Sequence, residues 1–173
     1  MISSHIIVHM KDDQHTPQSS SVSTTINSTI TERLDRFFDE LHRIDVAYAD
    51  YGRRIGVSDS VMYVLDYLYD HDGASQRDIC NYTMIPRQTI NNVILSLAKQ
   101  GYVNLYDSTG DRRVKLVRLT ESGRRYCNAL IAPERTAEYR AMSELAPELR
   151  DAMIQGMEIF GAEFRNQLRT VRI

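Results

Sequence analysis

Apolar residues recur every three or four positions from Ile30 to Tyr51: Ile30, Leu34, Phe37, Phe38, Leu41, Ile44, Tyr48 and Tyr51. That period predicts one long amphipathic helix. Thr29-Ile-Thr-Glu32 has capping-box spacing and marks its start; Gly52 marks its end. A second helix is expected from Ser58, with Val61, Val64, Leu65 and Leu68 inward. It should stop at His71-Asp-Gly73, where Gly73 suits a left-handed cap. Ser75-Gln-Arg-Asp78 signals another N-terminal cap and a short helix to Tyr82. Thr83 to Ile85 form a turn. Pro86 then opens a helix that ends at Gly101; proline is tolerated there because a first turn has no acceptor for the missing N–H. The period next changes to two. Val103 and Leu105 alternate with polar neighbours, as do Val114 and Leu116, and "YDSTGDRR" (Tyr106 to Arg113) lies between them. This is a β-hairpin around a Gly-Asp tip. "LTESG", Leu119 to Gly123, restarts helix with Thr120 as cap; that helix runs to about Ser143 with a kink expected at Pro133. Ala146-Pro147-Glu148 opens the last helix, striped by Leu149, Met153, Met157, Phe160, Phe164 and Leu168.

The pattern is mainly α with one small β-hairpin. Residues 1–28, rich in Ser, Thr, Gln, His and Asp and without a helical period, read as a flexible tail. A chain of 173 residues with 42% apolar and 25% charged residues can bury an ordinary core. No run approaches the roughly 20 apolar residues that cross a bilayer. Ile6, Ile7 and Val8 make too short a core for a signal peptide, so a cytoplasmic protein with no membrane partner is expected.

Charge changes the picture more than composition does. The net charge is −2. Yet residues 75–118 hold seven basic and three acidic side chains, net +4, against 14 and 20 in the remainder, net −6. A local basic segment, not the total, decides where a polyanion docks.

The helix from Pro86 lies inside that segment. At 100° per residue, Ile90, Val93, Ile94 and Leu97 share one face, expected to pack on the short helix through Ile79 and Cys80. Gln88, Asn92, Leu95 and Lys99 share the other, flanked by Asn91 and Ser96. Asn and Thr lower helix propensity, and Glu or Lys would serve solubility better. Asn and Gln, however, can bond two positions of an adenine edge, Arg two of a guanine edge, and Thr can touch a thymine methyl. Arg87, Gln88, Thr89, Asn91 and Asn92 are therefore candidate base contacts. A short helix, a three-residue turn and a second helix make a helix-turn-helix unit. The hairpin after it is a wing, with Asp111, Arg112, Arg113 and Lys115 at or near its tip. A tip arginine can enter the adjacent minor groove, and an aspartate can brace its fork.

"SQRDICNYTMIPRQTINNVILSLAKQGYVNL", "GDRRVKLVRLTESG" and the flanking long helices together resemble the MarR family of winged helix-turn-helix regulators. The Asp-x-Arg motif of the family's wing falls on Asp111-Arg112-Arg113, and its Leu-Thr-x-x-Gly on Leu119 to Gly123. The resemblance runs from about Thr29 to the C-terminus. It implies a winged helix-turn-helix over 57–119, flanked by dimerisation helices at 29–56 and 120–173. It also implies a homodimer that binds a near-palindromic operator in double-stranded DNA, usually as a repressor, and lets go when a small aromatic or anionic effector binds. The minor-groove contact would fall on Arg113 with Asp111 as brace. Two positions depart from the family: Pro86 and Ala146 stand where Ser or Thr is usual. The dimer also has a physical basis, because Leu34, Phe37, Phe38, Leu41, Met157, Phe160 and Phe164 exceed what a small winged domain can cover.

Tyr48, Tyr51, Tyr63 and Tyr67 belong to the helices that the resemblance places around an effector. Core packing with the hydroxyl at the rim is the plainer account. Arg53 and Arg54 would attract an effector carboxylate or simply sit in solvent. Cys80 reads as core filler between the two helices of the helix-turn-helix. Cys127 lacks a resolving cysteine and any basic neighbour beyond Arg124 and Arg125. Neither a disulfide framework nor a metal-ligand set is legible; His5 and His9 are four apart in the tail, and His42 and His71 are alone. There is no nucleophile elbow and no phosphate-binding glycine loop, so neither an enzyme nor a cofactor is expected. The alternative is a winged-helix protein-interaction module without DNA binding.

Overall fold

The computed structural model describes residues 21–71, 73–108 and 114–172, the first eight of these by their backbone alone. The chain divides into two compact units, Met1–Met62 and Tyr63–Ile173.

The first unit contains helix α1, Ser21–Ile55. It begins eight residues before the Thr29 cap signal. In the sequence Val22, Ile26 and Ile30 continue the four-residue spacing upstream, so the apolar row does not begin at the cap-like Thr29. Of the expected tail, 1–20 lie outside the described residues, as do His5 and His9. The helix also passes Gly52, which is buried: an added Cβ would meet the Val57 carbonyl oxygen at 3.1 Å. Arg53 and Arg54 are thus helical, in its last turn; Arg53 pairs with Asp50 at 2.7 Å and Arg54 lies over the Tyr51 ring. Phe37 and Phe38 meet edge to face at 5.4 Å.

Helix α2, Asp59–Asp70, starts in the first unit and continues into the second. After it come strand β1 (Ala74–Ser75), helices α3 (Gln76–Thr83) and α4 (Arg87–Lys99), strands β2 (Val103–Asp107) and β3 (Lys115–Leu119), and helices α5 (Glu121–Ser143) and α6 (Pro147–Thr170). The sheet order is β1-β3-β2, all antiparallel. The hairpin was expected; β1 was not. Gly73, at φ 94°, turns the chain after α2 and donates its N–H to the Val117 carbonyl, which sets Ala74 opposite Val117. Gly73 therefore starts a strand as well as ending a helix.

Among the described residues every buried apolar side chain lies between Val64 and Ile131. Val64, Leu65 and Leu68 of α2, Ile79 of α3, the inner face of α4, Val103, Val117, Leu119, and Cys127 and Ile131 of α5 make one core. A lateral tie adds to it. Arg135 on α5 reaches Asp66 at 2.6 Å and Asp70 at 3.2 Å, both on α2. Helix α5 continues through Pro133 to Ser143. Helix α6 has no buried residue along its 24 positions. No helix among the described residues is long and apolar enough to cross a membrane.

Candidate nucleic-acid interface

Helix α3 starts from a complete capping box. Ser75 Oγ accepts from the Asp78 amide at 3.2 Å, and Asp78 Oδ2 accepts from the Ser75 amide at 3.0 Å and its hydroxyl at 2.6 Å. Those bonds hold the Asp78 carboxyl below the usual carboxylate range. The turn to α4 is equally determined. Met84 takes the left-handed conformation, φ 56°, and donates to the Cys80 carbonyl at 2.9 Å; Thr83 Oγ1 accepts from the Ile85 amide at 3.3 Å.

Helix α4 then begins on Pro86, which supplies no side-chain cap. A Ser or Thr there could accept one of the first-turn N–H groups. Proline leaves the start of α4 as a cluster of donors with a partial positive charge. Ile90, Val93, Ile94 and Leu97 are buried. Arg87, Gln88, Thr89, Asn92, Leu95, Ser96 and Lys99 are exposed and Asn91 is half-buried, as the wheel required. Gln88 Nε2 donates to Asn92 Oδ1 at 3.5 Å, so the two amides share one surface.

The wing grows from the far end of α4. Gly101, at φ 77°, turns the chain, and Thr120 binds it to the start of α5: Thr120 Oγ1 donates to the Gly101 carbonyl at 2.7 Å and the Thr120 amide to the Tyr102 carbonyl at 2.9 Å. Tyr102 and Tyr126 stack at 4.2 Å beside this seam. In the hairpin register Asp107 faces Lys115, and the two side chains form an ion pair. Lys115, expected as a wing contact, thus has a carboxylate partner that pattern alone did not reveal. Asp111, Arg112 and Arg113 lie outside the described residues. Arg118, on the exposed side of β3, sits over the Tyr106 ring at 5.6 Å.

The other candidates fall elsewhere. Tyr48 and Tyr51 belong to the first unit and Tyr63 and Tyr67 to the second, all half-buried; Tyr67 stacks on His71 at 4.5 Å and meets Tyr82 at 4.8 Å. Leu34, Met157 and Phe164 are exposed, while Phe37, Phe38, Leu41 and Phe160 are half-buried, with Phe160 and Phe164 stacked at 5.7 Å. Cys127 is buried, its thiol donating to the Leu65 carbonyl at 3.3 Å, and burial aided by Asp66 and Asp70 pushes it up to about 12. Cys80 is half-buried. Among the described residues no group of three His, Cys, Asp or Glu could hold a metal ion.

Residues 55–114, from the end of α1 into the wing, match the model of the MarR family. Over those residues the chain is similar to the MarR family. Two curated relatives agree. The transcriptional activatory protein BadR of Rhodopseudomonas palustris is 34% identical over 68 residues, 39% of this chain and 39% of BadR. The HTH-type transcriptional repressor NicR of Pseudomonas putida is 32% identical over 96 residues, 55% of this chain and 61% of NicR. The chain thus matches less than two thirds of either. Solved MarR-family structures share the fold. A regulator from Neisseria meningitidis superposes with a TM-score of 0.66 at 19% identity, covering 79% of this chain and 96% of that one. MepR of S. aureus, solved as a DNA complex, gives 0.60 at 22% identity, covering 78% and 97%. BpsR of Bordetella bronchiseptica, whose DNA binding is regulated by 6-hydroxynicotinic acid, gives 0.57 at 21% identity, covering 73% and 91%.

Proposed function

We infer that this chain is a MarR-family, sequence-specific transcription regulator that binds double-stranded DNA through α4 and the wing. One observation carries the reading: α4 turns amide, hydroxyl and guanidinium groups outward from an uncapped first turn, while its large apolar residues are all buried but Leu95. Arg87, Gln88, Thr89, Asn91 and Asn92 are assigned to base edges. Arg113, with Asp111 as brace, is assigned to the minor groove, and Arg112 and Lys115 to the wing's DNA contact.

The chain acts as a homodimer in this reading. Helix α6 exposes Leu149, Met153, Met157, Phe164 and Leu168, and α1 exposes Ile30, Leu34 and Ile44. Such stripes need a partner, and a second copy related by a two-fold axis is the simplest. Two recognition helices about 34 Å apart would meet successive major grooves of a near-palindrome. Residues 29–56 and 120–173 supply the pairing and 57–119 the DNA contact. Repression, and release by a small aromatic or anionic effector, complete the proposal by analogy with NicR and BpsR.

Fluorescence anisotropy with the DNA flanking its own gene tests the reading. Affinity should fall steeply with salt. Arg113→Ala should weaken binding to every sequence, and Asn92→Ala should relax sequence choice by about 1–3 kcal/mol. Absence of any salt-dependent binding at low ionic strength would overturn the reading in favour of a protein-interaction module.

A further inference from the structure

The α4 surface carries one residue of the wrong kind. Ile90, Val93, Ile94 and Leu97 are at most 7% exposed, whereas Leu95 is 52% exposed. A single exposed leucine is ordinary on a protein surface. Its neighbours set this one apart. At 100° per residue Leu95 lies about 20° from Gln88, 40° from Lys99 and 60° from Asn92. It is the single apolar side chain in a row that begins with two mutually bonded amides and ends with a lysine.

We propose that Leu95 is a specificity residue, seating against the 5-methyl group of a thymine next to the base read by Asn92. The inference rests on the DNA reading above and deepens it. Leu95 is about 4.5 Å farther along the helix axis than Asn92, close to the rise of about 3.4 Å between successive bases on a strand. An amide suits the edge of an adenine, and the apolar group that a major groove offers is the thymine methyl. Gln88, Asn92 and Leu95 therefore select a step rich in A·T pairs. A leucine fits that methyl as a polar side chain would not, because contact removes apolar surface from water on both partners. Leu95 supports none of the core, so its replacement leaves the fold intact.

The test uses the full chain. Duplexes are selected from a random-sequence pool, and each thymine of the bound half-site is then replaced in turn by deoxyuridine, which deletes only the methyl group. The parent should show one thymine whose demethylation weakens binding about fourfold, the worth of one buried methyl. Leu95→Ala should bind the uracil duplex much as the parent does and show a thymine-to-uracil ratio near one. The same ratio in parent and variant, or no sensitive thymine, would overturn the proposal while leaving DNA binding intact. So would a Leu95→Ala protein with a parental melting curve that binds no duplex, since Leu95 would then serve general affinity. A parent that selects no sequence and binds no duplex at low salt removes the DNA reading and this proposal with it.

Discussion

Gly123, the third residue of α5, should not tolerate even a methyl group. A Cβ there would lie 1.8 Å from the Tyr102 carbonyl oxygen and 2.7 Å from its carbon. Those are backbone atoms and cannot swing away. Ordinary van der Waals contact requires the two segments to part by roughly 1.5 Å. Three donors bond across the same seam: the Thr120 amide to the Tyr102 carbonyl at 2.9 Å, Thr120 Oγ1 to the Gly101 carbonyl at 2.7 Å and more weakly to that of Tyr102 at 3.3 Å, and Ser122 Oγ to the Gly101 carbonyl at 3.0 Å. Opened that far, none stays within hydrogen-bonding reach. At about 1 kcal/mol each the loss is about 3 kcal/mol. Alanine returns at most about 1 kcal/mol as the better helix former. Gly123→Ala should therefore be destabilised by about 2 kcal/mol or more, and its urea midpoint should fall by roughly 1 M at fixed protein concentration. A midpoint equal to or above that of the parent would refute the contact, because it is what an unobstructed glycine-to-alanine change in a helix produces.

Three further outcomes follow from the second unit. Arg135→Ala should lower the melting temperature through a loss of about 1 kcal/mol, at the modest end because Arg135 is partly in water; it leaves Asp66 and Asp70 without their shared cation, and an unchanged melt would show the tie to be idle. The Glu134 carboxyl is pushed up to about 7 by burial and by the like charges of Glu138 and Asp66. Its folded value lies above the ordinary 4.5, so the native state holds this proton more tightly and stability drains away as pH rises from 4.5 toward 7. Glu134→Gln should match the parent in acid and exceed it above pH 7, by something of order 1 kcal/mol once solvent screening is allowed for; urea midpoints across pH that run parallel would contradict this. Cys127 should resist thiol reagents in the native protein, since its thiol is buried and pushed up to about 12, and mass spectrometry after brief iodoacetamide treatment should find Cys80 modified first. Preferential labelling of Cys127 would be the contrary result.

What was legible in the sequence was whatever repeats along one element. The inner face of α4, the Ser75–Asp78 box and the α5 cap at Thr120 are all local, and the structure has them where the spacing put them. What stayed hidden depends on partners distant in sequence or on register. Strand β1 is two residues long, too short for any period, and exists because Gly73 aims it at Val117. The Asp107–Lys115 pair follows from which residues of the hairpin oppose one another. The Arg135 tie joins residues 65 and 69 positions apart. The early start of α1 misled for another reason: Thr29-Ile-Thr-Glu32 has the right spacing for a cap, but the same residues are compatible with a helix interior when the apolar row continues upstream.

Leu119-Thr-x-x-Gly123 shows how a motif can be read correctly without its reason being visible. Its sequence marks a wing followed by a helix. The structure adds the physical cause, because its threonine and glycine are both spent on the chain just after α4. Thr120 ties to Gly101 and Tyr102, and Gly123 lets the two backbones touch. Gly101 and Tyr102, bonded back to Ala98 and Leu97 in the last turn of α4 and leading into β2, thus meet the first turn of α5, so the wing cannot shift without straining α4. In the proposed function, where a helix reads one groove and a hairpin the next, the distance between them must be held. This small seam, rather than the wing's own two-strand ladder, is the part of the fold suited to hold it.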